Sequence, residues 1–146
     1  MWSVRAFFER RSSEIDECGV ELLDIGQPPF AVEAGSDELR GRTWLHVGFP
    51  AHDAYLQAHE TILMLSASRA TRLRYSYYLV VEGLGVWGYD RDPLHDPAVH
   101  WHLEDDHDTR YACKPVSFKE AVLMAWAELA ARSNGSPPVR PPHAIL

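Results

Sequence analysis

The segment that most constrains the fold is TRLRYSYYLVVEGLGVWGYD, residues 71–90. Two runs rich in tyrosine, valine and leucine flank Glu82–Gly83, a pattern typical of a β-hairpin closed by a two-residue turn. Strand alternation then places one side chain in two on each face of the hairpin. One face is predicted to carry Leu73, Tyr75, Tyr77, Leu79, Val81, Leu84, Val86 and Gly88. The other face is predicted to carry Arg72, Arg74, Ser76, Tyr78, Trp87 and Tyr89.

The elements around this hairpin complete an α+β pattern. Apolar residues at helical spacing predict an N-terminal helix over residues 2–17. A C-terminal helix is predicted over 117–132, since Ser117 and Glu120 form a capping-box pattern. Further strands are predicted at 20–25, 30–33, 43–49, 55–67 and 98–104. The fold class is therefore α+β, an antiparallel β-sheet of about four to six strands with the N-terminal helix and the C-terminal helix packed on it.

Length and composition limit the class of protein. The chain has 146 residues, which predicts a single domain over 1–132 followed by a Pro-rich tail over 133–146. A net charge of −7 gives no global basic field, so nucleic acid would have to bind a local basic patch. The two cysteines lack CxxC spacing and the apolar runs are too short to span a bilayer, which predicts a cytoplasmic protein with no membrane contact.

A run of histidines and acids, HWHLEDDHD, occupies residues 100–108. Alternation places His100, His102 and Glu104 on one face of the strand predicted at 98–104, and apolar side chains on the other. Residues 105–110, DDHDTR, follow this strand and are predicted to form a loop. Three hypotheses compete for this run: a metal site, a catalytic pair of histidines, or a solvated strand face.

In the metal hypothesis, His100 and His102 reach one ion from alternate strand positions. Asp90, Asp106 or His107 would supply the third ligand. The HxH pattern lacks the glycines and the second histidine motif of the cupins. No four-ligand set of cysteines or histidines is present, which predicts no structural zinc. The preferred prediction is accordingly a site with no metal and no cofactor.

In the acid–base hypothesis, His100 and His102 cleave RNA without metal. One histidine takes the proton of the 2′-hydroxyl group and the other protonates the leaving 5′-oxygen. Tyr89 and Asp90 arrive from the neighbouring strand, and Asp90 orients one imidazole ring. Substrate phosphate is predicted to be bound by Arg72 and Arg74, since guanidinium groups suit that role.

In the third hypothesis the histidines form only a solvated face. Period-two polarity needs no function to explain it. Residues 90–108 also contain seven acidic residues and one arginine, a local charge that repels phosphate. The chain would then be a non-catalytic protein-interaction module or a subunit of a larger complex.

The order of these motifs resembles the TumE-type toxin family of toxin–antitoxin modules. The resemblance covers residues 72–130 and rests on RYSYYLV, VWGYD, a loop with His95, HWH and PVSFKEAV. It implies a site made of Tyr89, Asp90, His100 and His102, with His95 binding substrate. Arg91 stands where asparagine is common in the family. The resemblance further implies a toxin acting inside the cell, with RNA as substrate and a cognate antitoxin protein as partner, and it leaves homo-oligomerisation open.

Overall fold

The computed structural model describes residues 2–104 and 106–135. An antiparallel sheet of eight strands lies against two helices, which confirms the predicted α+β class. In chain order the elements are α1 (Val4–Glu17), β1 (Glu21–Leu22), β2 (Phe30–Val32), β3 (Arg40–Gly48), β4 (Ala54–Met64), β5 (Ala70–Val81), β6 (Leu84–Arg91), β7 (Val99–Leu103), β8 (Asp106–Ala112) and α2 (Phe118–Ser133). The strand order across the sheet is β1-β3-β4-β5-β6-β7-β8, and β2 also pairs with β3.

Both helices form where the sequence predicts them. At the start of α1 the Ser3 side chain accepts a hydrogen bond from the backbone N–H of Arg5, and at the start of α2 both bonds of the Ser117–Glu120 capping box are present. The helices pack on one face of the sheet, which we call the core face. The opposite face carries no helix among the described residues and is called the open face. Neither helix is long and apolar enough to cross a membrane.

A buried ion pair joins α1 to the core face. Arg11 Nη2 lies 2.6 Å from Glu60 Oε2 of β4, and Arg11 Nε donates to Glu60 Oε1 at 2.9 Å. The hydroxyl groups of Thr43 and Tyr77 donate to the same carboxylate. The Arg11 guanidinium also lies 4.7 Å above the centre of the Phe118 ring at the start of α2. One cation therefore contacts both helices and the middle of the sheet.

The β5–β6 hairpin forms around the predicted turn, where Glu82 and Gly83 have φ of 52° and 77°. Its second strand departs from the predicted alternation. Leu79 pairs with Trp87 and Val80 with Gly85, so the intervening Val86 is a β-bulge. The bulge reverses the faces of the following residues: Trp87 and Tyr89 turn to the core face, while Gly88 and Asp90 turn to the open face. The predicted faces of these residues were wrong because a bulge carries no strong signal in the sequence.

A second bulge separates the two arginines that were predicted to share a face. Thr61 pairs with Arg74 and Ile62 pairs with Arg72, so Leu73 is the extra residue. Arg72 consequently turns to the core side, where its guanidinium lies 4.3 Å from the centre of the Tyr75 ring and donates to Tyr77 Oη at 2.9 Å. Arg74 stays on the open face. The predicted shared face of Arg72 and Arg74 is therefore corrected, since only Arg74 lies on the open face.

The predicted loop after β7 is also wrong in part, because Asp106–Ala112 is a strand. This strand, β8, pairs with β7 and forms an edge of the sheet, and all seven of its residues are exposed. The sequence did not predict this strand because its residues are mostly charged or polar. Charged side chains are common on edge strands, but they are equally typical of loops. From residue 136 onward, the predicted Pro-rich tail lies outside the described residues.

Candidate functional site

Cross-strand pairing brings one row of polar side chains together on the open face. Trp44 pairs with His59, His59 with Ser76, Ser76 with Asp90, and Asp90 with His100, so the row crosses β3 to β7. Directly opposed residues of an antiparallel sheet share a face, with Cβ atoms about 4.5–5.5 Å apart. The register thus places Asp90 beside His100.

His102 lies in the neighbouring row, opposite Gly88. Its Nε2 atom is 2.8 Å from Asp90 Oδ2, and His100 Nε2 is 3.4 Å from the same oxygen. The exposed fractions of His100 and His102 are 1% and 2%, and that of Asp90 is 8%. Two imidazole nitrogens and one carboxylate oxygen therefore converge on one buried point.

The second ring nitrogen of each histidine faces an oxygen acceptor. His100 Nδ1 donates to the Pro97 carbonyl oxygen at 2.8 Å, and His102 Nδ1 donates to the Leu103 carbonyl oxygen at 3.3 Å. Glu104 Oε1 is another acceptor, 3.6 Å from His102 Nδ1. The contact with Pro97 places the proton of neutral His100 on Nδ1, whereas Nε2 of His102 donates to Asp90 Oδ2 at 2.8 Å, so both ring nitrogens of His102 face acceptors.

The two histidines have opposite electrostatic surroundings. Burial lowers the pKa of His100, although the Pro97 carbonyl and Asp90 oppose that shift. Burial also disfavours the charged form of His102, but the hydrogen bond and charge of Asp90, with help from the Leu103 carbonyl and Glu104, outweigh it and raise the pKa of His102. The arrangement therefore favours a neutral His100 beside a protonated His102.

Further ionisable groups surround this central trio. The His95 ring lies 5.6 Å from that of His100, and His95 Nε2 is 3.5 Å from Asp92 Oδ2. On the other side, the His107 ring of β8 lies 4.9 Å from that of His102. Burial raises the pKa of Glu104, whose Oε2 atom is 3.9 Å from His107 Nε2.

A groove of about 340 Å³ opens on the same face. This volume is at the lower end of the range of small-ligand pockets. Among the side chains that border it are those of Arg42, Trp44, His59, Arg74, Asp90 and His95. Asp90 thus belongs both to the groove and to the buried trio, whereas His100 and His102 do not border the groove.

Aromatic side chains stack along the groove and beyond it. The Trp44 and His59 rings are stacked with centres 3.6 Å apart, and those of His46 and Tyr55 with centres 4.9 Å apart. Burial, together with the charge of His46, lowers the pKa of His59 to about 4. These four residues were not predicted as site residues, although Trp44 and His46 alternate in the sequence as His100 and His102 do.

The structure brings together most, but not all, of the predicted site. Asp90, His100 and His102 converge, and His95 and Arg74 border the same region, where Arg74 Nη2 is 2.8 Å from Asp92 Oδ1. Tyr89 does not join them, because it pairs with Trp101 and points to the core face, where it is 1% exposed. Adjacent residues of a strand point to opposite faces, so Tyr89 and Asp90 cannot both reach the histidines.

Comparison with protein-family models gives no match, and comparisons with curated proteins and with solved structures likewise give no match. Functional inference therefore depends on the geometry of the site itself.

Proposed function

We propose that this protein is a ribonuclease that cleaves single-stranded RNA in the groove beside Asp90. The observation that carries the proposal is the convergence of His100, His102 and Asp90 next to a groove bordered by arginine side chains. Cleavage at a 2′-hydroxyl group needs one group that accepts a proton, one that donates a proton and a cation near the phosphate. The trio can move protons, and Arg74 supplies the cation.

The shape of the open face favours single-stranded RNA over a duplex. Unpaired bases bind to proteins by stacking on aromatic side chains, and the backbone follows nearby positive charge. The Trp44–His59 stack offers such a surface within the groove, and Arg42 is exposed at its border. Because the chain carries a net charge of −7, local arginines have to provide the attraction to phosphate.

The biological role that we propose is that of a toxin held in check by an antitoxin protein and active in the cytoplasm. This role depends on the resemblance of residues 72–130 to the TumE-type family. The trio of Asp90, His100 and His102 supports it, since these residues carry the resemblance and also lie together in the fold.

The test combines RNA cleavage with growth inhibition. Purified protein is incubated with a fluorogenic single-stranded RNA, and the same chain is expressed from an inducible promoter. We expect the H100A/H102A variant to lose at least about a hundredfold in cleavage rate, the usual scale for a positioned acid or base, and to lose toxicity. His52→Ala is the matched control, since His52 is exposed and makes an edge contact with Trp126 of α2, remote from the trio. A folded wild-type chain that cleaves no RNA would leave the non-catalytic interaction module as the better hypothesis.

A further inference from the structure

The histidine–aspartate trio brings three potential metal ligands to one buried point. His102 Nε2 donates to Asp90 Oδ2 at 2.8 Å, and His100, whose Nδ1 donates to the Pro97 carbonyl oxygen, presents its Nε2 lone pair 3.4 Å from the same Asp90 oxygen. The Asp90 carboxylate is itself only an acceptor. All three residues can bind a metal ion once the His102 Nε2 proton is lost, and one divalent cation would then be shared by a carboxylate and two imidazoles.

From this geometry we infer that Asp90, His100 and His102 form a binding site for one divalent first-row transition-metal ion, with zinc as the best-fitting candidate. Zinc binds histidine nitrogen and carboxylate oxygen at about 2.0–2.2 Å, which places tetrahedral ligand atoms roughly 3.3 Å apart. Asp90 Oδ2 is 2.8 Å from one Nε2 atom and 3.4 Å from the other. The candidate ligand atoms of the three residues all lie within 4.8 Å of one another.

The outer contacts of the trio match those of metal-binding histidines. Such histidines donate their other ring N–H to a carbonyl or carboxylate group, which fixes the tautomer and the ring orientation. His100 does so to the Pro97 carbonyl, and His102 faces the Leu103 carbonyl and Glu104. A mixed nitrogen and oxygen ligand set also argues against Mg²⁺ and Ca²⁺, which prefer oxygen ligands alone.

Three protein ligands leave at least one coordination position of the ion free, which is the pattern of catalytic rather than structural zinc. Since Asp90 is the ligand that borders the groove, the free position lies on the groove side. The ion would there act as a Lewis acid toward a phosphate or carbonyl oxygen of the substrate. In the metal-bound protein His100 and His102 would be ligands rather than proton carriers, a role that suits their 1% and 2% exposure, and the ion would take over the activation of the phosphate in the proposed ribonuclease.

A second set of groups competes for the same ion. His102, Glu104 and His107 also place one ligand atom each within 4.8 Å of one another. His107 is exposed, with 59% of its side chain accessible, whereas His100 is buried. The buried set holds its ligands in place before the ion arrives, so we assign the ion to Asp90, His100 and His102.

The experiment measures metal binding without RNA. The untagged 146-residue chain is stripped with a chelator and titrated with Zn²⁺ by calorimetry, with Mg²⁺ as the comparison ion. We expect one Zn²⁺ per chain and no measurable heat of Mg²⁺ binding. His100→Ala and Asp90→Asn should each weaken Zn²⁺ binding at least about a hundredfold, since each removes a direct ligand.

His107→Ala and His46→Ala serve as matched controls and should change the Zn²⁺ affinity less than about threefold. Nitrogen-15 NMR of the wild-type imidazoles gives a readout that needs no variant: Zn²⁺ should shift Nε2 of His100 and His102 and leave Nε2 of His46 unchanged. The proposal is overturned if wild-type protein binds no stoichiometric Zn²⁺, or if only His107→Ala abolishes binding. Cleavage of RNA that persists in excess chelator would overturn the catalytic role of the ion and leave the ribonuclease standing. Stoichiometric Zn²⁺ binding without RNA cleavage would confirm the metal site and overturn the ribonuclease.

Discussion

Gly88 and His102 are direct cross-strand partners on the open face, and the imidazole ring of His102 occupies the space above the glycine. A Cβ atom added to Gly88 would lie 2.8 Å from His102 Cε1 and would also overlap the ring of Tyr78. Because position 88 has no side chain, the rings of Tyr78 from β5 and His102 from β7 can both lie over β6 at this point.

Gly88→Ala should displace His102 or Tyr78 and disturb the trio of Asp90, His100 and His102. We expect a loss of about 1–3 kcal/mol in the free energy of unfolding, the usual cost of overpacking, together with weaker Zn²⁺ binding. Urea unfolding and the NMR signals of the His102 ring measure the two effects. Ala67→Val adds two methyl groups at an exposed position and should change neither; unaltered His102 signals in G88A would contradict the expected displacement.

Arg11→Met should destabilise the fold strongly. It leaves the Glu60 carboxylate buried without its cation, and breaking one side of a buried ion pair costs about 3–5 kcal/mol. Changing Glu60 to Gln in the same chain should restore part of the loss, because the buried charge is then gone. The measurement is the free energy of unfolding in urea, and an Arg11→Met chain as stable as wild type would show that the pair adds little.

The two arginines of β5 should respond differently to substitution by alanine. Arg74→Ala removes an exposed cation at the groove, so RNA affinity should fall while the free energy of unfolding stays within about 0.5 kcal/mol of wild type. Arg72→Ala removes bonds to Tyr77 Oη and to the Val116 carbonyl, so the stability should fall instead. Urea unfolding and RNA binding by fluorescence anisotropy separate the two effects, and a large loss of stability in Arg74→Ala would contradict its placement on the open face.

The stability of the protein should decline in mild acid partly through His59. Its folded pKa is about 4, below the ordinary value of 6.5, because burial and His46 disfavour its charged form. The unfolded chain therefore takes up a proton that the folded chain does not, and the free energy of unfolding falls as the pH drops from about 6.5 to about 4. Replacing His59 by Asn should flatten this part of the curve. An NMR titration of His59 with a midpoint near 6.5 would refute the expectation.

Cys113 should resist modification in the folded protein. It is buried, and burial raises its pKa to about 11, so little thiolate forms at pH 8. Cys18 is half-buried, and burial raises its pKa too, but its partial exposure should let it react first. Mass spectrometry after treatment with an alkylating reagent identifies the modified residue, with urea-unfolded protein as the control in which both cysteines react.

The sequence predicts those features that depend on neighbouring residues alone. The Glu82–Gly83 turn and the Ser117–Glu120 capping box both form, because a backbone conformation or a local hydrogen bond determines each of them. The convergence of His100 and His102 on one side of β7 likewise follows from alternation.

The two bulges are what the sequence does not reveal. The extra residues Val86 and Leu73 are ordinary strand formers, and only the pairing with neighbouring strands shows them to be unpaired. Each bulge reverses the alternation between the residues on its two sides. Tyr89, which follows Val86, and Arg72, which precedes Leu73, were therefore wrongly predicted to share a face with the histidines. The Trp44–His59 stack was missed for a related reason, since its two members lie on different strands.

The buried ion pair of Arg11 and Glu60 and the trio around Asp90 lie on opposite sides of the same few strands. Apart from the bulges, alternate residues of β4 to β6 point to opposite faces, so the residues that pack beneath the helices are different from those that border the groove. The exposed positions of the open face can consequently diverge in evolution, or be redesigned in the laboratory, with little loss of stability. A new specificity could arise on this scaffold by replacing side chains of the groove while every residue beneath the helices is retained.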